Sequence, residues 1–219
     1  MKTSEIIINA FFGNKCIKCG KMFEINCPKN ICDECRTELL GQLKNAPISI
    51  NNKYITSDKF LFSYNYTEAR ELVLKMKSEP KIKICRFFAE EAARCIKEDV
   101  NFPEFDIITH CPRKPSKKRI IGYDHSQQFA SCLAEKLGVP YKELLGRTEG
   151  GKEQKTIKNY FERMRNVHGK FFVQHPEDIR RKRILLVDDI VTTASTATEC
   201  AKTLKESGAS KIFALFILD

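Results

Sequence analysis

The run Ile184-Leu185-Leu186-Val187-Asp188-Asp189-Ile190-Val191-Thr192-Thr193-Ala194-Ser195-Thr196 ends an aliphatic strand on two adjacent carboxylates and continues at once into small hydroxyl side chains. A helix over Ser195 to Ser207, closed by Gly208, follows directly. Its first turn presents unpaired N–H groups and the positive end of the helix dipole, which together attract an anion. Thr192, Thr193, Ser195 and Thr196 add hydroxyl donors at the same point, and a phosphate ester would satisfy them all. Asp188 and Asp189 would repel that phosphate but accept hydrogen bonds from sugar hydroxyls beside it. Donors for a phosphate next to acceptors for a diol describe a ribose 5-phosphate pocket. N-capping alone accounts for one or two of the hydroxyls and not for the acidic pair.

A second constellation lies near the start of the chain. Of ten cysteines, five fall between Cys16 and Cys35, and they include two CxxC pairs, Cys16/Cys19 and Cys32/Cys35, separated by twelve residues. Four thiolates in that spacing match a closed, structural zinc site with no open position for water. Disulfides are the competing chemistry, but no recognisable signal segment precedes the cluster, which favours a reducing compartment. Cys27, in Asn26-Cys27-Pro28, is an alternative to Cys32 as a ligand.

These residues need elements to hold them. The 219 residues, 42% apolar and 30% charged, describe a folding globular chain with no apolar run long enough to span a bilayer. The expected address is cytoplasmic, without membrane insertion. Strands are expected over 60–64, 105–111, 170–174, 183–188 and 211–218, and helices over 68–77, 82–97, 127–137 and 195–207. Their alternation predicts an α/β fold with a mainly parallel central sheet and flanking helices, in which ligands bind beyond the carboxyl ends of the strands. Residues 1–44 read as a zinc-binding module, 45–58 as a linker and 59–219 as the main domain.

The formal charge is +10, from 38 Lys plus Arg against 28 Asp plus Glu, which favours polyanionic partners. Lys152, Lys155, Lys158, Arg163 and Arg165, with Tyr160 and Phe161 among them, combine cations with stacking faces as single-strand-binding surfaces do. His110 and His125 read as packed polar residues rather than proton shuttles.

The stretch from Val187 to Thr196 resembles the phosphoribosyl pyrophosphate (PRPP) signature of type I phosphoribosyltransferases, with Ala194 where that pattern has Gly. Preceded by a double-CxxC module, it resembles the competence-protein ComF family. Further landmarks are Cys111-Pro112-Arg113, Gly122-Tyr123-Asp124-His125-Ser126-Gln127, Arg147-Thr148 with Gln154, and Arg163 to Phe171. In the family the second landmark carries an Arg where Ile121 stands, and Asn-Gln where Asp124-His125 stands. The resemblance implies a type I phosphoribosyltransferase-like domain that binds PRPP with Mg2+. Asp188 and Asp189 would hold the ribose hydroxyls as the catalytic acids, and Thr192, Thr193, Ala194, Ser195 and Thr196 would cradle the 5-phosphate. Arg113 and Lys114 would belong to a pyrophosphate loop running on to Arg119. It further implies a role in DNA uptake and natural transformation, with single-stranded DNA and a DNA-uptake helicase or other competence protein as partners. Lys117, Lys118, Arg119, Lys155, Lys158, Arg163 and Arg165 are the candidate DNA contacts. The alternative is an active phosphoribosyltransferase with an unidentified acceptor.

Overall fold

A computed structural model describes residues 15–24, 27–47, 52–63, 65–78, 81–149, 169–191 and 194–219. Its centre is a five-stranded sheet in the order β1-β2-β7-β6-β3, built from β1 (Leu43–Pro47), β2 (Ser57–Phe62), β3 (Ile107–His110), β6 (Arg183–Ile190) and β7 (Lys211–Leu218). β2, β7, β6 and β3 run parallel, and only β1 is antiparallel to its neighbour. Strands of such a sheet are covered on both faces, which is why β7 is buried without interruption from Ile212 to Leu218. Two short strands, β4 (Leu145–Arg147) and β5 (Phe171–Val173), form a separate antiparallel ribbon.

Alternate residues along β6 and β7 feed two cores. Leu185, Val187, Phe213 and Leu215 pack under α2 (Thr67–Ser78), α3 (Ile82–Glu98) and α5 (His125–Leu137). Ile184, Leu186, Ile212 and Ala214 pack under α6 (Ser195–Glu206), beside Leu145 and Phe171 of the ribbon. The expected apolar spacing of α3 is observed, with Ile84, Phe87, Phe88, Ala92 and Cys95 all buried.

The first core does not stop at the main sheet. Cys16, Ile31, Cys32, Cys35 and Leu39 join the same buried cluster as Leu61, Phe62 and Leu72. The cysteine segment, which includes α1 (Asp33–Leu40), is also tied down by charge: Arg36 reaches Glu91 of α3 at 2.6 Å, and Arg94 reaches the other oxygen of Glu91 at 3.1 Å. Residues 45–47, given to a linker by composition, continue β1, and Ser57 and Asp58 open β2.

One expected loop is partly helical. Pro115–Ile121 forms α4, so the basic run after β3 is a four-residue turn, 111–114, followed by a helix. Pro115 occupies the first helical turn, where its missing N–H costs nothing, and Gly122 closes the helix in the left-handed conformation at φ 67°. Charge without periodicity hid the helix, although both end signals stand in the sequence. No helix among the described residues is long and apolar enough to cross a membrane.

Candidate functional site

The carboxyl ends of β3 and β6 lie side by side, with His110 opposite Val187. Asp188 and Asp189 directly precede Ile190, the last residue of β6, and strand alternation sends them to opposite faces. Asp188 shares the α6 side with Leu186. With Ile190, Val191, Ala194, Ser195 and Thr196 it lines a recess of about 50 Å³ at the start of α6. Its Oδ1 accepts from Ser126 Oγ at 3.0 Å and from the Asp189 amide at 2.9 Å. Burial raises the Asp188 carboxyl above the usual carboxylate range, and the neighbouring Asp189 charge raises it further.

Asp189 faces the other way and is only 4% exposed. Its Oδ2 lies 2.5 Å from His125 Nε2 and 2.9 Å from Lys77 Nζ, while Oδ1 accepts from the Ile190 amide at 2.7 Å. Burial works against its ionisation, but the His125 hydrogen bond and the Lys77 charge outweigh it and hold the carboxyl below the usual range. Of the two acids, therefore, only Asp188 lines the recess. Lys77 lies 112 positions earlier in the chain, and no local signal in the sequence links it to Asp189.

The phosphate side is built on a strained residue. Ala194, the residue before α6, has φ 52° and ψ 2°, the left-handed region where a Cβ is costly, and its carbonyl accepts from the Thr198 amide at 2.7 Å. This is the one position where the resemblance places Gly. Replacing Ala194 with Gly relieves about 1–2 kcal/mol of backbone strain, offset by about 0.5–1 kcal/mol of lost chain entropy. Ala194→Gly is accordingly expected to leave the melting midpoint unchanged or slightly higher, as thermal denaturation will show. Thr192 and Thr193 lie outside the described residues, as do Lys155, Lys158, Arg163 and Arg165.

Asp124 organises the start of α5, accepting from the Ser126 and Gln127 amides at 3.1 and 3.3 Å and from the Arg113 amide at 3.1 Å. This cap sets Ser126 and His125 against the two acids, and it starts the helix two residues before the expected Gln127. Arg113 also donates to the Lys77 carbonyl at 3.1 Å, so the turn 111–114 and the end of α2 are joined. In the ribbon, Gly146 lies against the Phe172 ring: a Cβ there would stand 2.3 Å from the ring, and the half-exposed Phe172 side chain would have to move aside. Next to it, Arg147 lies over the Phe171 ring and donates to the Pro112 carbonyl at 3.4 Å.

Among the described residues, four buried side-chain nitrogens lack a hydrogen-bond partner: His110 Nε2, Arg113 Nη1, His125 Nδ1 and Arg147 Nε. All four belong to residues gathered at the carboxyl ends of β3 and β6. Native interiors leave few such groups unpaired, and water or a bound ligand would satisfy them. Of the basic residues of α4, Lys118 reaches Gln127 at 3.2 Å and Glu143 at 3.7 Å, and Arg119 reaches Glu149 at 2.8 Å. Lys117 is exposed.

The cysteine site is closed and simple. The sulfurs of Cys16, Cys19, Cys32 and Cys35 all lie within 4.8 Å of one another, and Cys27 is not among them. Cys19 and Cys32 are 3.8 Å apart, close to the about 3.8 Å that a tetrahedron of 2.3 Å Zn–S bonds dictates. The donor set fits a structural zinc ion.

A model of the phosphoribosyl transferase domain matches residues 124–219. The competence protein ComFC of Streptococcus pneumoniae is 26% identical over 198 residues, covering 90% of this chain and 84% of that protein. With the four-cysteine cluster in front of that domain, these matches support a ComF-family assignment. Solved structures similar to this chain include the glutamine PRPP amidotransferase of B. subtilis, at 19% identity and a TM-score of 0.39. That match covers 90% of this chain and 33% of the other, so the chain spans about a third of the amidotransferase. The adenine phosphoribosyltransferase of Thermoanaerobacter pseudethanolicus is 18% identical at a TM-score of 0.39, covering 82% of this chain and 85% of that one.

Proposed function

We propose that this ComF-family protein is a DNA-uptake factor acting in natural transformation, which binds PRPP with Mg2+ at the Asp188 recess and binds single-stranded DNA. The observation that carries the PRPP reading is the pairing of one half-buried carboxylate, Asp188, with the first turn of α6 across a single recess. A carboxylate is an acceptor for ribose hydroxyls and a hard oxygen ligand suited to Mg2+, while the helix start takes the 5-phosphate. Magnesium, when bound with PRPP, would neutralise part of the diphosphate charge. Asp188 orients the sugar, Ser126 fixes Asp188, and Asp189 stays engaged with Lys77 and His125.

The DNA reading rests on the +10 charge and on its placement in α4 and residues 152–165. It predicts affinity for single-stranded DNA that falls steeply with salt, because each neutralised phosphate releases condensed counterions. A polarisation titration with labelled oligonucleotide tests it; absence of binding at low ionic strength removes the DNA-uptake role as stated here. The second reading, an active phosphoribosyltransferase with an unidentified acceptor, is favoured by the same acidic recess. It requires pyrophosphate release from PRPP that a cellular acceptor stimulates and that Asp188→Asn abolishes.

A further inference from the structure

The sequence Arg180-Arg181-Lys182-Arg183 sets four cations in a row, and the fold adds Lys211, which opens β7 opposite Arg183 of β6. Just before β6, the Lys182 amide donates to the Ile179 carbonyl at 3.0 Å and closes a four-residue turn with Arg180 and Arg181 at its corners. Arg181 stands there at φ 60°, a corner conformation that favours Gly or Asn. The turn is fixed against the connection from α6 to β7. The Arg181 amide donates to the Gly208 carbonyl and the Ser210 amide to the Lys182 carbonyl, both at 2.8 Å. Arg180 lies alongside Gly208, where a Cβ would stand 3.6 Å from its Cγ. Lys205 joins the same corner by donating to the Ser210 carbonyl. The carboxylates around this corner are engaged elsewhere. Asp106 and Glu104 take Arg183, Asp178 takes Lys142, Glu177 faces His175 and Glu206 faces Lys202. Arg180, Arg181, Lys182 and Lys211 are all exposed, and none of them forms an ion pair among the described residues. Residues 179–182 and 205–211 expose no large apolar side chain. A protein partner would lack the aromatic or aliphatic anchor that dominates such interfaces, whereas a phosphodiester backbone is held by cations and hydroxyls alone.

We infer that Arg180, Arg181, Lys182 and Lys211 form a surface that binds the phosphodiester backbone of a nucleic acid strand at the amino ends of β6 and β7. It lies at the other end of the sheet from Asp188. Five strand steps separate Arg183 from Asp188, about 17 Å at about 3.3 Å per residue. The cations of α4 follow the carboxyl end of β3 and stand at the Asp188 end, so this surface is separate from them. A strand held at the amino ends leaves the Asp188 recess open. Residues 179–182 and 205–211 contain no aromatic ring, so the surface grips phosphates without stacking bases and carries no sequence preference. Naming the strand as single-stranded DNA rests on the proposed function.

Polarisation titrations of the zinc-loaded full chain with a labelled single-stranded oligonucleotide, repeated across a salt series, test this on two variants. The quadruple variant Arg180→Gln, Arg181→Gly, Lys182→Gln, Lys211→Gln is expected to bind on the order of tenfold or more weakly at low salt. Its slope of log K against log salt concentration should flatten by up to about 3, from about 0.7 per lost phosphate contact. Arg181→Gly alone should weaken binding by about two- to threefold and melt no lower than the parent, because Gly accepts φ 60° without strain. That variant separates lost charge from lost fold. Parental affinity and salt slope in the quadruple variant would overturn the surface and leave the DNA reading to α4 and residues 152–165. Absence of binding to the parent at low ionic strength would overturn both. Polyglutamate that displaces the labelled strand as well as unlabelled oligonucleotide does, at equal charge, would overturn the phosphodiester assignment in favour of an acidic protein partner.

Discussion

Removal of zinc from the four-cysteine site is expected to unfold the amino-terminal segment and also to lower the melting temperature of the phosphoribosyltransferase domain. In so small a unit, metal binding and folding are one equilibrium, so a chelator that strips the ion melts the segment. The further effect follows from the shared core. Leu39 and the cysteines pack in the same cluster as β2 and α2, and Arg36 supplies one of the two cations that neutralise Glu91, which is 0% exposed. Once the segment leaves, Glu91 keeps only Arg94, and loss of one partner from a buried charge cluster costs about 3–5 kcal/mol before relaxation. For a chain of this size that corresponds to a fall on the order of 10 °C. Scanning calorimetry with and without chelator, together with Arg36→Met, measures it. Domain melting at the parental temperature after verified zinc loss would show that the two parts are energetically independent.

The second large effect concerns the acidic pair, whose members should fail in different ways. Asp188→Asn is expected to abolish Mg2+–PRPP binding, by about a hundredfold or more, while leaving the fold as stable as the parent. The sign is set by its raised carboxyl: as the pH climbs past the usual carboxylate range, ionising Asp188 costs the folded state more than the unfolded one. A neutral amide escapes that cost. Asp189→Asn has the opposite signature. It leaves Lys77 and His125 facing a neutral group in a buried site, and a loss of about 3–5 kcal/mol is expected. Because Asp189 is held below the usual carboxylate range, the stability it confers is present above the ordinary aspartate value. That stability is lost only as the pH falls through the depressed one. Chemical denaturation of both variants near neutral pH, beside PRPP titrations, separates them. Equal loss of binding without loss of stability in both would mean that both carboxylates serve the ligand.

Much of this was readable from residue order because it depends on local rules. Unbroken apolar runs in 183–188 and 211–218 announce parallel strands, and the two CxxC pairs announce a tetrathiolate site whose four sulfurs do converge. The period of two along β6 also implies that adjacent acids cannot share a face, although adjacency itself invites pairing them in one role. What was not readable depends on distant partners. Lys77, Ser126 and Arg147 reach the strand ends from separate elements; Ser126 and Arg147 stand in landmarks of the resemblance, but nothing near any of the three in sequence names the group it meets. The left-handed Ala194 lies between these cases: its position was marked by the missing Gly, but its strain appears only in the backbone angles.

The claim on which the rest depends is that Asp188 and the start of α6 hold a single ligand, the ribose 5-phosphate part of PRPP. Isothermal calorimetry of PRPP with Mg2+ against the parent protein and Asp188→Asn tests it most directly. The account predicts saturable one-site binding to the parent and none to the folded variant. Parental affinity in Asp188→Asn, or no heat of binding to the zinc-loaded parent, would contradict it.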